Sequence, residues 1–246
     1  MVKGTRITAA LLVAGAASVN IAFLGLGMAF DYPNVLNKPP AEVLATFRAD
    51  QWVIGGLFLF MAIGAGLLAP IAIRVGRLGT STALRASVPV GIAAAGVQVI
   101  GLLRWPLLVP GLASQAGDPS AAETFDTLNL VLGTVIGETL GYALTAAWTV
   151  LVAVGLRRSV LGTPLAVTGM VAAALISTGI VEPLDVPGAG LANFVGYIVW
   201  SAWLVAFAIA VLRSAGRSPV RSARVRLATS SAATSQATDR RIVSGV

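Results

Sequence analysis

Residues 130–156 read LVLGTVIGETLGYALTAAWTVLVAVGL, an apolar run of 27 residues carrying a single charge, Glu138. About 20 apolar residues suffice to cross the hydrocarbon core of a bilayer as a helix. The stretch is therefore a membrane span, and its one carboxylate sits where an ionisable group is costly. Working outward, similar runs recur at roughly 7–30, 51–73, 86–105, 163–182 and 191–212, with the central one extending over 128–156. The expected fold is all-α, a polytopic bundle of six transmembrane helices arranged as three helical hairpins. Residues 1–213 form the membrane domain.

Composition agrees. Of 246 residues, 57% are hydrophobic and 11% charged, and mean hydropathy is +0.87. A soluble domain carries about a quarter charged residues, so the usual solvated surface is missing. Cys and His are both absent. That excludes thiol chemistry, Fe–S clusters, His-ligated haem, His/Cys zinc sites and Ser-His or Cys-His catalytic pairs. No cofactor and no metal site is expected. Asp-rich prenyltransferase motifs and a Walker-type phosphate loop are also missing from the sequence.

The charges are sorted. Lys3, Arg6, Arg74, Arg77, Arg85, Arg157, Arg158 and seven arginines after the sixth run place 14 of 17 basic residues on one face. Lys38, Arg48 and Arg104 fall on the other, with Asp31, Glu42, Asp50, Asp118, Glu123, Asp126, Glu182 and Asp185. The positive-inside rule then predicts cytoplasmic N- and C-termini in a bacterial inner membrane. The net charge of +7 is an orientation signal and does not point to nucleic acid. The first run is too long for a cleaved signal peptide and is read as a retained helix. After Arg213 the chain turns to Ser, Arg, Ala and Thr, which predicts a disordered basic tail over 214–246 lying against anionic lipids.

Two segments look like copies of each other. Pro106-Leu-Leu-Val-Pro-Gly111 and Pro183-Leu-Asp-Val-Pro-Gly188 agree at five of six positions. In the following helices, Gly141-Tyr142 and Trp148 recur as Gly196-Tyr197 and Trp203 at the same spacing, which aligns Glu138 with Asn193. The second and third hairpins thus read as a parallel internal repeat, and sites in such folds tend to sit between repeats. The prolines are expected to end the odd helices and fix the chain's exit.

Counted from the basic boundary, Arg104, Glu138 and Asn193 lie 19 or 20 residues deep. At 1.5 Å per residue this is about 28 to 30 Å, one level in the outer part of the bilayer. Glu182 reaches a similar depth. Arg104 is a natural counter-ion for Glu138 or Glu182, since guanidinium holds a carboxylate bidentately. Tyr142 and Thr145 follow Glu138 on one helical stripe, and Asn193, Tyr197, Trp200 and Ser201 form its counterpart. Gly133, Gly137 and Gly141 allow close approach, to a neighbouring helix or to another subunit. Trp148, Trp200 and Trp203 lie away from the interfacial belts, as core or as pocket walls; Trp52 and Trp105 read as outer-belt residues. Asn20 and Gln98 are expected to bond across helices.

Gly137-Glu138-Thr-Leu-Gly141-Tyr142 with Trp148, and Ala192-Asn193-Phe-Val-Gly196-Tyr197 with Trp200, resemble the motifs of a family of actinobacterial six-helix integral membrane proteins. That family is known only as a domain of unknown function of the 4386 type. The resemblance covers about residues 7–213. It implies a six-helix bundle and supplies no activity.

Three functions fit these residues. In the first, a pocket at the level of Glu138 binds or transports a small amphipathic molecule, with Arg104, Tyr142, Thr145, Asn193, Tyr197, Trp200 and Ser201 as ligand-binding residues. In the second, Glu138, with Glu182, is a catalytic acid acting on a lipid or isoprenoid, and the aromatic faces stabilise cations. In the third, the protein is a regulatory scaffold acting through its tail. The first ranks slightly ahead, on the frequency of such functions among proteins of this architecture. Oligomeric state is left open.

Overall fold

The computed structural model describes residues 2–243, and side chains over residues 3–216. Among them the secondary structure is entirely helical. The elements are α1 (Val2–Phe30), α2 (Pro40–Ala49), α3 (Gln51–Gly66), α4 (Leu68–Gly76), α5 (Thr82–Leu107), α6 (Val109–Ala113), α7 (Pro119–Leu128), α8 (Gly141–Leu156), α9 (Gly162–Ser177) and α10 (Ala189–Val243). Two π-helical segments, Asn129–Leu140 and Arg157–Leu161, flank α8, and 310 turns occupy Asn34–Asn37 and Thr178–Leu184. Side chains of the expected tail lie, from residue 217 onward, outside the described residues, as does its seating on anionic lipid.

Among the described residues, five runs are long and apolar enough to cross a membrane: Lys3–Phe30, Gln51–Gly76, Thr82–Ala113, Pro119–Leu184 and Ala189–Gly216. The fourth has 66 residues. As one straight helix it would be about 100 Å long, some three bilayers. It does not run straight, because Gly162 takes φ +71°, a left-handed conformation that costs glycine little, and the chain reverses there. α8 then packs against α9, and the 310 turn after α9 meets the π segment before α8. Large apolar side chains on the outer faces, such as Leu24, Met28, Ile63, Ile100, Val154 and Leu191, are exposed, as lipid-facing residues are.

Around the bundle, α1 packs on α3 and α4, these on α5, α5 on α8, α8 on α9, α9 on α10, and α10 closes on α1. Two cores fill it. At the arginine-rich end, Leu12, Ile71, Leu84, Trp148, Leu156, Trp203 and Phe207 interlock from α1, α4, α5, α8 and α10. At the opposite end, where α2, α6 and α7 lie, Phe30, Phe47, Phe58, Trp105 and Phe125 form an aromatic cluster. The expected loops of this end are thus partly helical. Pro40 and Pro119 stand at first helical positions, where a missing N–H costs nothing.

Two expectations are corrected here. Trp105 is no belt residue: it is fully buried and stacks on Phe58 with ring centres 4.6 Å apart, whereas Trp52 is 87% exposed. The prolines do not end the odd helices either. α5 continues through Pro106, and Pro183 lies inside a 310 turn. Asp31 (φ 51°) instead follows the end of α1, and Asp185 (φ 55°) the end of the 310 turn after α9, since a short polar side chain tolerates the left-handed conformation that stops a helix.

A polar layer between the aromatic cores

The stripe that includes Glu138 is shaped by glycine. Built on Gly101 of α5, a Cβ would lie 2.7 Å from Gly137 Cα and 2.9 Å from the Leu132 carbonyl oxygen; on Gly133 it would lie 2.7 Å from an Arg104 nitrogen. Only glycine lets the two backbones touch. The series Gly133, Gly137, Gly141 therefore faces α5 of the same chain, and Gly141 rests on Gln98. The chain here makes wide π turns, which re-register side chains relative to the 3.6-residue period and recur at functional sites.

Arg104 is 5% exposed. Its guanidinium donates to the Gly101 carbonyl at 2.6 Å and to Asn129 Oδ1 at 2.9 Å, and it stands 5.2 Å from the Trp105 ring centre. The Nε atom has no partner, nor do the indole nitrogens of Trp105 and Trp148. The expected counter-ion role is not taken up: among the described residues Lys38–Glu42 is the ion pair formed, at 3.1 Å on the surface. Arg104 binds neutral oxygens instead, because Asn129 and the Gly101 carbonyl reach it first.

Glu138 is half-buried in the π segment and makes no hydrogen bond or ion pair within the described structure. It lies within electrostatic range of Arg104, Tyr32, Tyr142 and Tyr197. These are all three tyrosines of the chain. Tyr142 and Tyr197 meet edge to face at 5.8 Å, and Tyr32 packs edge-on against Phe58 at 5.3 Å. Glu182 is exposed at the rim, in the 310 turn, with its carboxylate over Gly190.

Around and beneath the tyrosines several polar groups satisfy one another. Gln98 donates to Thr145 at 2.8 Å, Trp200 Nε1 to Thr149 at 2.8 Å, and buried Asn193 to the Ile176 carbonyl at 2.7 Å. Asn20 donates to Ser201 at 2.9 Å across α1 and α10. The expectation that Asn20 and Gln98 bond between helices thus holds. Edge-to-face contacts then run from Tyr197 to Trp200, Trp200 to Trp148 and Trp148 to Trp203, down into the core of the arginine-rich end.

The structure therefore brings Arg104, Glu138, Tyr142, Asn193 and Tyr197 into one layer, with Thr145 and Trp200 beneath it. Ser201 stands apart, in the α1–α10 seam. Three members escaped the sequence reading. Thr149 was within reach, one turn beyond Thr145 on the same stripe. Tyr32 and Asn129 carried no signal, since they arrive through the fold of the segments joining the helices.

Long apolar helices with lipid-facing outer surfaces and a polar layer between packed aromatic cores define a polytopic α-helical membrane protein. Residues 7–208 match the family model described as Domain of unknown function (DUF4386), and the chain belongs to that family. No curated protein and no solved structure matches it.

Proposed function

We propose that this protein crosses the membrane six times with both termini cytoplasmic, and that it binds a small amphipathic cation in the layer around Glu138. The observation that carries this reading is Glu138 itself: a half-buried carboxylate without a hydrogen bond or ion pair, within electrostatic range of the three tyrosines. Ionisable groups held at membrane depth are usually paired or functional. Here the nearby guanidinium is engaged by Asn129 and Gly101, and two carboxylates, Glu138 and Glu182, outnumber it. An ammonium group would complete the charge, and the faces of Tyr142 and Tyr197 would favour it through cation–π attraction.

Binding is preferred to transport because the arginine-rich half beneath the layer is filled by Trp148, Trp203, Leu204 and Phe207. The proposed parallel repeat fits this placement. Trp148 lies on Gly91 and Trp203 on Gly169, so each of these tryptophans is seated on a glycine of the preceding long helix. The layer falls between those two hairpins.

The test is binding of a hydrophobic quaternary ammonium dye to the protein in lipid nanodiscs. Loss of an ion pair in a poorly hydrated site is worth tenfold or more, so Glu138→Gln should weaken binding by at least about tenfold. Equal affinity of wild type and variant would overturn the proposal.

A further inference from the structure

At the other end of the bundle, the Arg157–Leu161 turn, the start of α9 and the final turns of the α10 span enclose a half-open groove of about 360 Å³. That is within the size range of small-ligand sites. Its walls are apolar, with Leu161 and Leu165 on one side and Ala206 and Ala210 on the other. The two alanines leave the space. Its rim is polar and comprises Ser159, Arg213 and Ser214.

The rim has spare capacity to bind an anion. Arg213 is exposed and makes no hydrogen bond or ion pair within the described structure. Ser159 Oγ donates to the Leu156 carbonyl at 3.3 Å, longer than a good O–H···O bond, so it can turn to a better acceptor. Arg157 and Arg158 lie exposed on the same turn and add to the positive field. Ala206 and Arg213 are separated by seven residues, about 10 Å along the helix. The groove therefore descends from the charged end of the Ala189–Gly216 span into its apolar part. A molecule complementary to it has an anionic head and a hydrocarbon tail.

We propose that the groove between α9 and α10 binds an anionic phospholipid, its phosphodiester on Arg213 and Ser159 and its first methylenes along Ala206 and Ala210. Basic pockets between membrane helices recognise such headgroups. The site is independent of the Glu138 layer, which lies at the opposite end.

Native mass spectrometry of the full chain, incubated with equimolar phosphatidylglycerol and phosphatidylcholine, tests this. Phosphatidylglycerol should be retained over phosphatidylcholine by about fivefold, the effect of one well-placed arginine. Arg213→Gln should abolish the preference, Ala210→Trp should lower occupancy by filling the groove, and Arg77→Gln, outside the groove at the same end, should leave both unchanged. Equal retention of the two lipids, or a preference that survives both groove variants, overturns the proposal. So does displacement of the lipid by inorganic phosphate alone, which would assign the rim to free phosphate.

Discussion

The Arg104 guanidinium on α5 donates a 2.9 Å hydrogen bond to Asn129 Oδ1, at the first position of the π segment that presents Glu138. Arg104 is buried, and its Nε already lacks a partner. Removing the acceptor strands a charge, whereas removing the charge itself does not. Asn129→Leu should therefore destabilise the protein by about 2 to 3 kcal/mol, while Arg104→Met costs less or nothing. Equilibrium unfolding in mixed micelles measures both. A larger loss for Arg104→Met than for Asn129→Leu would show that Arg104 is stabilised chiefly by something other than Asn129.

Backbone contact between Gly101 and Gly137 sets how closely α5 approaches the π segment. A methyl group at Gly101 would press on the Gly137 Cα and the Leu132 carbonyl, neither of which can turn aside. Gly101→Ala should cost about 1 to 3 kcal/mol. Gly96, on the same helix, has nothing within 4 Å of its Cβ position, so Gly96→Ala should gain about 0.5 to 1 kcal/mol from helix propensity. Thermal unfolding of the two variants in detergent separates them, with midpoints moving in opposite directions.

The membrane class was legible because hydrocarbon thickness imposes a run length that can be counted, and the runs at 7–30 and 51–73 fall within the apolar helices Lys3–Phe30 and Gln51–Gly76. Partners were not. Arg104 pointed toward carboxylates by charge, yet bonds to Asn129 and a carbonyl, because packing at the glycines brings the π segment to it. The burial of Trp105 was hidden likewise. A tryptophan near a span end reads as an interfacial anchor unless one knows that Phe47 of α2 and Phe125 of α7 cover it.

Asp118 caps α7, accepting the Ser120 N–H at 2.9 Å. That hydrogen bond, made to the charged form, holds its carboxyl below the usual carboxylate range. With the folded value depressed, the cap's contribution is complete above the unfolded value and disappears as pH falls through the folded one. Amide exchange at Ser120 should therefore quicken, relative to an Asp118→Asn variant, as pH drops from about 5 to below about 3. Asparagine keeps an acceptor oxygen at all pH values. A ratio that does not change with pH would show that the carboxylate's charge plays no part in the cap.

Trp148 and Trp203 are each fully buried and each seated on a glycine, Gly91 and Gly169. They differ at one atom. Trp203 Nε1 donates to the Leu165 carbonyl at 2.9 Å, while Trp148 Nε1 is buried without a partner. Phenylalanine removes similar volume from both sites, so the packing loss is shared and largely cancels in a comparison. Trp203→Phe also loses that hydrogen bond, whereas Trp148→Phe relieves an unsatisfied N–H. Unfolding free energies should thus fall further for Trp203→Phe, by about 0.5 to 1.5 kcal/mol. The same ordering should appear in the rate of proteolysis of the α9–α10 hairpin relative to the α5–α8 pair. Equal losses at the two sites would mean that the indole bond to Leu165 adds nothing beyond packing.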